Sequence, residues 1–190
     1  MFHCDPSELS IARAGSGTKS HAMHRTALRH AQVEDVDQIL ELIHGLAEFE
    51  NLSHQVEVTR ERLLTTLFGT KPAAEVVLAF EGDTAVGFAV FFPTYSTFLG
   101  KPGLHLEDLF VRPGFRGRGH GRSLLRHLAS LALERGCGRF EWTVLDWNAP
   151  AIEFYRRHGA DVLPEWRLCR VTGDALERLA SAHAPGNTGG

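Results

Sequence analysis

Cysteine is scarce. There are three, Cys4, Cys137 and Cys169, an odd number at unrelated spacings. Such a set argues against a disulfide framework and fits a reducing cytosol. Neither a C-x-x-C pair nor an H-E-x-x-H motif occurs, which leaves no signature for structural or catalytic zinc. Long apolar runs are lacking too. No segment reaches the roughly 18 consecutive apolar residues of a membrane span, and the first residues have no apolar centre of a signal peptide. A cytoplasmic protein that binds no metal is therefore expected. Nor is there an excess of positive charge: Lys and Arg number 20 against 23 Asp and Glu, for a net charge of −3. That balance argues against nucleic-acid binding by the chain as a whole. No internal repeat is found.

What remains is an ordinary globular profile, 43% hydrophobic and 23% charged over 190 residues, enough for one domain with a real core. Residues 1–23, with "ARAGSGTKSHAMH", read as an unstructured tail. The C-terminal "APGNTGG" reads as a fraying end over 183–190. The domain is expected between them, over 24–182.

Inside it the periods are legible. "TALRHA" reads as a short strand. Val36, Ile39, Leu40, Ile43, Leu46 and Ala47 recur at helical spacing over about 34–49. Thr59 can cap a second helix bearing Leu63, Leu64, Leu67 and Phe68, and Gly69 can end it. "EVVLAFEGDTAVGFAVFF" reads as two strands joined at Gly-Asp. "GLHLEDLFV" is a strand, 119–135 a helix, "RFEWTVL" a strand, 149–158 a helix, "EWRLCRV" a last strand and 174–182 a closing helix. The order indicates an α/β domain with a mixed sheet. Hairpins make part of it antiparallel, and a strand–helix–strand crossover makes part of it parallel.

That crossover runs through the most distinctive stretch, "RPGFRGRGHGR", Arg112 to Arg122. It holds four glycines, four arginines and no acid, between a strand and a helix. A helix start presents unpaired N–H groups and the positive end of its dipole. Glycines ahead of it let an anion approach the backbone. The spacing is neither a Walker A loop, which ends in Gly-Lys-Ser/Thr, nor the G-x-G-x-x-G dinucleotide fingerprint. Taken alone, the loop fits pyrophosphate binding, a structural turn or a short RNA-binding segment.

Glu107 and Asp108 stand just upstream. Neighbouring strand residues point to opposite faces, so only one meets a given cleft unless the strand is bulged. Both can equally be solvated strand-end carboxylates. Tyr155, in "EFYRRHGA", reads by itself as an aromatic packed in the core with Ile152 and Phe154. His120 and His127 read as solvated, and Cys137 and Cys169 as small strand or helix-end hydrophobes.

Arg116-x-x-Gly119-x-Gly121, after a strand and opening a helix, resembles the acyl-CoA pyrophosphate loop of the GNAT acetyltransferases. "DWNAPAIEFYRRHGA" resembles the same superfamily's Asn-x-x-Ala/Ser-x-x-x-Tyr block. "LIHGLAEFE", "LFGTKP", "VGFAVFFPTYSTFLGKPGLHLEDLFV" and "EWRL" resemble the spermidine/spermine (diamine) N-acetyltransferase branch. The resemblance runs from about Ala27 to Leu179. It implies a GNAT acyltransferase fold, with a central mixed, mostly antiparallel sheet flanked by helices. It also implies a homodimer and direct transfer of an acetyl group from acetyl-CoA to the primary amine of a small molecule. By resemblance, Glu107 serves the incoming amine, directly or through water, and Asp108 helps bind a cationic substrate. The backbone of Leu109, Phe110 and Val111 bonds the pantetheine arm, with Val111 N–H as candidate oxyanion donor. Arg116, Gly117, Arg118, Gly119, His120, Gly121 and Arg122 cradle the pyrophosphate. Asn148 bonds the pantetheine arm and fixes the next helix. Tyr155 contacts the cofactor and protonates the departing thiolate, a role that a phenol with pKa near ~10 suits.

The chain departs from that branch on the acceptor side. Its acid-rich segment reads "EFENLSHQV", keeping Phe49 and Glu50 but placing Ser53 and His54 where further acids stand. Phe98 replaces a substrate-stacking tryptophan. After "HGA" a shortened loop leaves Glu165 as counterpart of one substrate-contacting acid. A polyamine needs several spaced carboxylates, so these changes point to a shorter amine, a diamine or a thialysine-like amino acid. The alternatives are a protein or peptide acetyltransferase of the same fold and a non-catalytic acetyl-CoA-binding module.

Overall fold

A computed structural model describes residues 26–181. Both expected tails, residues 1–23 and 183–190, lie outside the described residues. The elements are β1 (Ala27–His30), α1 (Val36–Phe49), α2 (Arg60–Phe68), β2 (Glu75–Glu81), β3 (Thr84–Ser96), β4 (Lys101–Val111), α3 (His120–Glu134), β5 (Arg139–Trp142), α4 (Ala149–Arg157) and α5 (Asp174–Ser181). The chain divides after Thr143 into two compact units.

The first unit holds a five-stranded sheet in the order β1-β2-β3-β4-β5. Its first three pairings are antiparallel, and only β4–β5 is parallel. That last pair is bridged by α3, the crossover that the glycine loop opens. β2 and β3 are joined at Gly82, whose φ of +59° lies in the left-handed region that glycine adopts without Cβ strain.

Both faces of the sheet are covered. Val76, Leu78 and Phe80 of β2, Phe88 of β3 and Phe110 of β4 form one core with Val36, Ile39 and Leu42 of α1 and Leu63 of α2. The other face carries Phe91, whose ring meets His30 at 6.2 Å and lies under the Arg135 guanidinium at 5.7 Å. His127 of α3 meets His30 at 6.1 Å, which puts α3 on that side. A strand covered on both faces reads as a continuous apolar run, as "VVLAF" does.

Local chemistry fixes the helix starts. Thr59 Oγ1 accepts from Arg62 N at 3.3 Å and caps α2. Ahead of α1, Asp35 accepts from Gln32 N at 2.7 Å and from both terminal nitrogens of Arg29, at 2.6 and 2.8 Å.

The second unit contains α4, an irregular stretch and α5. Two sequence expectations are corrected here. "RFEWTVL" is a strand only over Arg139–Trp142, because its ladder with β4 ends at the pair Leu106↔Trp142. "EWRLCRV" is not a strand: Glu165 to Val171 are all exposed, and no described strand pairs with them. Alternation makes a strand only where a neighbour supplies the ladder, and otherwise water takes the backbone groups. Cys169 is accordingly exposed in an irregular segment rather than a strand hydrophobe, while Cys137 is half-buried.

Candidate functional site

The site in the first unit begins with an irregularity in β4. Asp108 lies opposite Val90 and Leu106 opposite Phe91, so Glu107 is an extra residue. Directly opposed residues share a face. Leu106 therefore joins Phe91 on the α3 side, and Asp108 joins Val90 and the Phe88–Phe110 pair on the α1 side. A regular strand would put Leu106 and Asp108 on one face. The parallel ladder to β5 also ends at Leu106. Asp108 to Val111 are thus paired to β3 but, like the bulged Glu107, not to β5, so among the described strands one edge of this backbone is left unpaired and can take an extended ligand. The Val111 carbonyl is the exception, since it accepts from Arg116 Nε at 3.0 Å.

Beside that edge stand acids. Half-buried Asp108 has its carboxyl pushed up to about 6, first by burial, then by the Glu107 and Glu50 charges. Burial also raises Glu50. Glu107 is exposed, and its Oε2 lies 3.8 Å from Nε2 of His105, which stacks on Phe92 with centroids 5.0 Å apart. Phe49 lies beneath the Arg116 guanidinium at 4.3 Å. Carboxylates so grouped favour a cation, and a carboxyl near 6 would exchange a proton about a unit below neutral pH. Phe98 is not part of it. It sits at the tip of the β3–β4 hairpin, 99% exposed, roughly 20 Å along the strand from Val90 at ~3.3 Å per residue.

The glycine loop runs from Arg112 through a 3₁₀ turn (Pro113–Phe115) to α3. Gly117 and Gly119 have φ of +77° and +94°, and Gly119 is the N-cap. Ser123 N makes the first intrahelical bond, to Gly119 O at 2.9 Å, which leaves the N–H groups of His120, Gly121 and Arg122 without one. The arginine side chains divide. Arg112 donates to Ala85 O and Glu41, at 3.1 and 2.9 Å. Arg116 is turned to Val111 O and Phe49. Arg118 donates to Glu81 at 3.0 Å and to Gly114 O at 2.9 Å. Arg122 is exposed, has no partner among the described residues, and lies 3.8 Å from where a Gly119 Cβ would stand. An anion here would meet backbone N–H groups and Arg122. The free helix start, the left-handed glycines and the uncommitted guanidinium together fit a diphosphate.

The expected solvated histidines are both corrected. His120 is buried, bonded through Nε2 to Glu81 Oε1 at 2.6 Å and through Nδ1 to Thr26 Oγ1 at 2.9 Å. Its helical position points it inward with Leu124 and Leu128. His127 has a buried Nε2 with no hydrogen-bond partner among the described residues, and burial pushes its imidazole down.

In the second unit Asn148 caps α4, its Oδ1 accepting from Ala151 N at 3.3 Å. Tyr155 is half-buried on α4 and meets Phe154 edge-on at 5.3 Å. No residue of α4 is fully buried, so Tyr155 is not a core aromatic. Glu165 is exposed in the irregular segment.

Sequence reasoning passed over His105 and Glu81. The period of two that joins residues 105 and 107 on one strand was a signal for His105. Glu81 had none, because its partners lie 37 and 39 residues away.

Residues 37–160 match the Acetyltransferase (GNAT) family. The chain is 38% identical over 169 residues to a thialysine N-epsilon-acetyltransferase of Mus musculus, covering 83% of this chain and 99% of that protein. It is 36% identical over 197 residues to the L-ornithine N5-acetyltransferase NATA1 of Arabidopsis thaliana, covering 80% and 86%. Among solved structures it is similar to an integron cassette protein from Vibrio cholerae, with a TM-score of 0.70 and 25% identity over 82% of this chain and 98% of that one.

Proposed function

The chain belongs to the GNAT acetyltransferase family, and from that premise we propose that it moves an acetyl group from acetyl-CoA directly to the primary amine of a small, cationic acceptor. The acceptor class is a thialysine- or ornithine-like amino acid or a short diamine. The observation that carries this reading is the bulge at Glu107. It turns Asp108 toward Glu50, beside an open β4 edge.

Acetyl-CoA supplies an activated thioester. The protein's share begins at the glycine loop, where the N–H groups at the α3 start and Arg122 hold the diphosphate. Backbone groups of Leu109, Phe110 and Val111 hold the pantetheine arm, and the Val111 N–H faces the developing oxyanion. Asn148, which caps α4, is assigned to the same arm by family resemblance alone. Glu50, Glu107 and Asp108 draw in an ammonium group. It must lose a proton before it can attack. The Asp108 carboxyl, raised to about 6, supports giving that proton to the Glu107–Asp108 pair rather than to Glu107 alone. Tyr155 returns a proton to the leaving thiolate. Phe49 lines the acceptor side, and Phe98 and Glu165 belong to the acceptor-binding set by resemblance. With three clustered acids, the site suits a short acceptor better than a long polyamine.

The proposal extends to a cytosolic homodimer in which residues 24–182 form the acetyltransferase domain. The exposed hairpin tip of Tyr95, Phe98 and Leu99 is consistent with burial by a second copy. Among the described residues, no helix is long and apolar enough to cross a membrane. Mass spectrometry of the amine fraction after incubation with acetyl-CoA tests the function. A singly acetylated amine is expected, and hydrolysis of acetyl-CoA without an acetylated amine contradicts it.

A further inference from the structure

We propose that Glu81 and His120, with Arg118, form a brace that sets the anion-binding shape of the glycine loop, making Glu81 and His120 positioning residues for the acetyl donor. The proposal rests on the reading of that loop as the donor's diphosphate site.

The geometry is specific. One carboxylate, at the end of β2, holds the two residues that flank Gly119. Its Oε2 accepts from Arg118 Nη1 at 3.0 Å, and its Oε1 lies 2.6 Å from His120 Nε2. The His120 side chain is wholly buried, and that of Glu81 is 13% exposed. An ionised carboxylate only accepts hydrogen bonds, so Nε2 carries the proton and donates. Thr26 Oγ1, 2.9 Å from Nδ1, either donates to a neutral ring or accepts from a charged one. The ring is therefore held in one orientation in both protonation states. A second arm of Arg118 reaches back to Gly114 O at 2.9 Å, which ties the front of the loop to the same carboxylate.

Two consequences follow for the donor. Gly119, at φ +94°, is clamped from both sides. Its left-handed turn, and the direction of the N–H groups after it, are then fixed before an anion arrives. The charge is managed as well. A buried acid beneath a diphosphate site would repel the ligand, but Arg118 neutralises Glu81. Arg118 is therefore directed at Glu81, not at the anion, although it lies in the middle of the basic motif. The loop's cation for the ligand is Arg122.

Glu81→Gln, Arg118→Met and the double variant test this. CoA affinity is read by calorimetry, and turnover with both acetyl-CoA and S-acetyl-N-acetylcysteamine, a thioester without a diphosphate. Each single variant should weaken CoA binding by roughly ten- to hundredfold, about the worth of one hydrogen bond to a charged group. Turnover of the short thioester should stay within about twofold of the parent, a split that a general structural defect would not produce. The double variant should lose no more than the worse single one, because both act through one contact. Equal losses with both thioesters, additive losses in CoA affinity, or unchanged affinity would each overturn the brace. His120→Gln, which keeps a donor near Glu81, should recover CoA affinity relative to His120→Leu, and equal affinities of the two would count against it. Failure of the parent itself to bind CoA would instead refute the diphosphate reading.

Discussion

Asp108 faces Val90 across the β3–β4 ladder, one residue out of step with Leu106 facing Phe91. That offset puts a carboxylate on the α1 side of the sheet, with Glu50 and Glu107 close enough to raise it. A carboxyl near 6 rather than 3.8 carries a penalty on ionisation on the order of 3 kcal/mol.

Asp108→Asn should therefore separate activity from stability. The folded Asp108 binds its proton more tightly than the unfolded chain does. Its ionisation costs stability as pH rises between the ordinary aspartate range and about 6, and the full cost persists above that. At neutral pH the Asn variant should unfold at a higher urea concentration than the parent while losing roughly 10²–10⁴ in turnover. In the parent, kcat/KM should fall as pH drops through about 6. That limb should vanish from the residual activity of the variant. A variant less stable than the parent at pH 7.5, or a limb that stays, would contradict the assignment.

Asp35 behaves in the opposite sense. The Arg29 hydrogen bonds, helped by the Gln32 N–H, hold its carboxyl below the ordinary range, against the opposing effect of burial. Its contribution is complete above the unfolded-state value and is lost as pH falls through the folded one. Asp35→Asn should destabilise the protein by roughly 1.5–3 kcal/mol at pH 7, the worth of charged hydrogen bonds. Urea titrations should show that difference shrinking below pH 4. A difference independent of pH would show that packing, not charge, holds Asp35.

Gly119→Asp should abolish detectable CoA binding in a folded protein. Its backbone would be strained by roughly 1–2 kcal/mol at φ +94°, and its carboxylate would meet the diphosphate. Circular dichroism checks the fold and calorimetry the affinity. An unchanged affinity would remove the loop from the donor site.

Much of this was legible because it is local. The helix after the glycine loop, the Thr59 cap and the Gly82 hairpin each depend on residues within a few positions, and each falls where the pattern puts it. The bulge at Glu107 does not: it is a relation between β4 and β3, visible only once both strands are in register. The direction of Arg118 likewise depends on Glu81, 37 residues earlier. The strand expected at "EWRLCRV" failed for the same reason, since it has no partner strand among the described residues.

Tyr155→Phe removes one hydroxyl and almost no volume. As the proton donor to the thiolate, Tyr155 should be worth roughly 10²–10⁴ in kcat, with CoA affinity little changed. If its hydroxyl instead positions the thioester in the ground state, affinity should fall in parallel. Near-parental kcat would refute the proton-donor role, and near-parental kcat together with unchanged CoA affinity would refute both.

The most direct test of the whole account is thiol release from acetyl-CoA by the parent protein at pH 7.5. The acceptors are thialysine, ornithine, putrescine, spermine and a lysine-containing peptide, each taken to saturation. Amine-dependent release is expected, with kcat/KM for the best amino acid or short diamine at least tenfold above that for spermine and the peptide. A preference for the peptide or spermine, or no amine-dependent release at all, would contradict it.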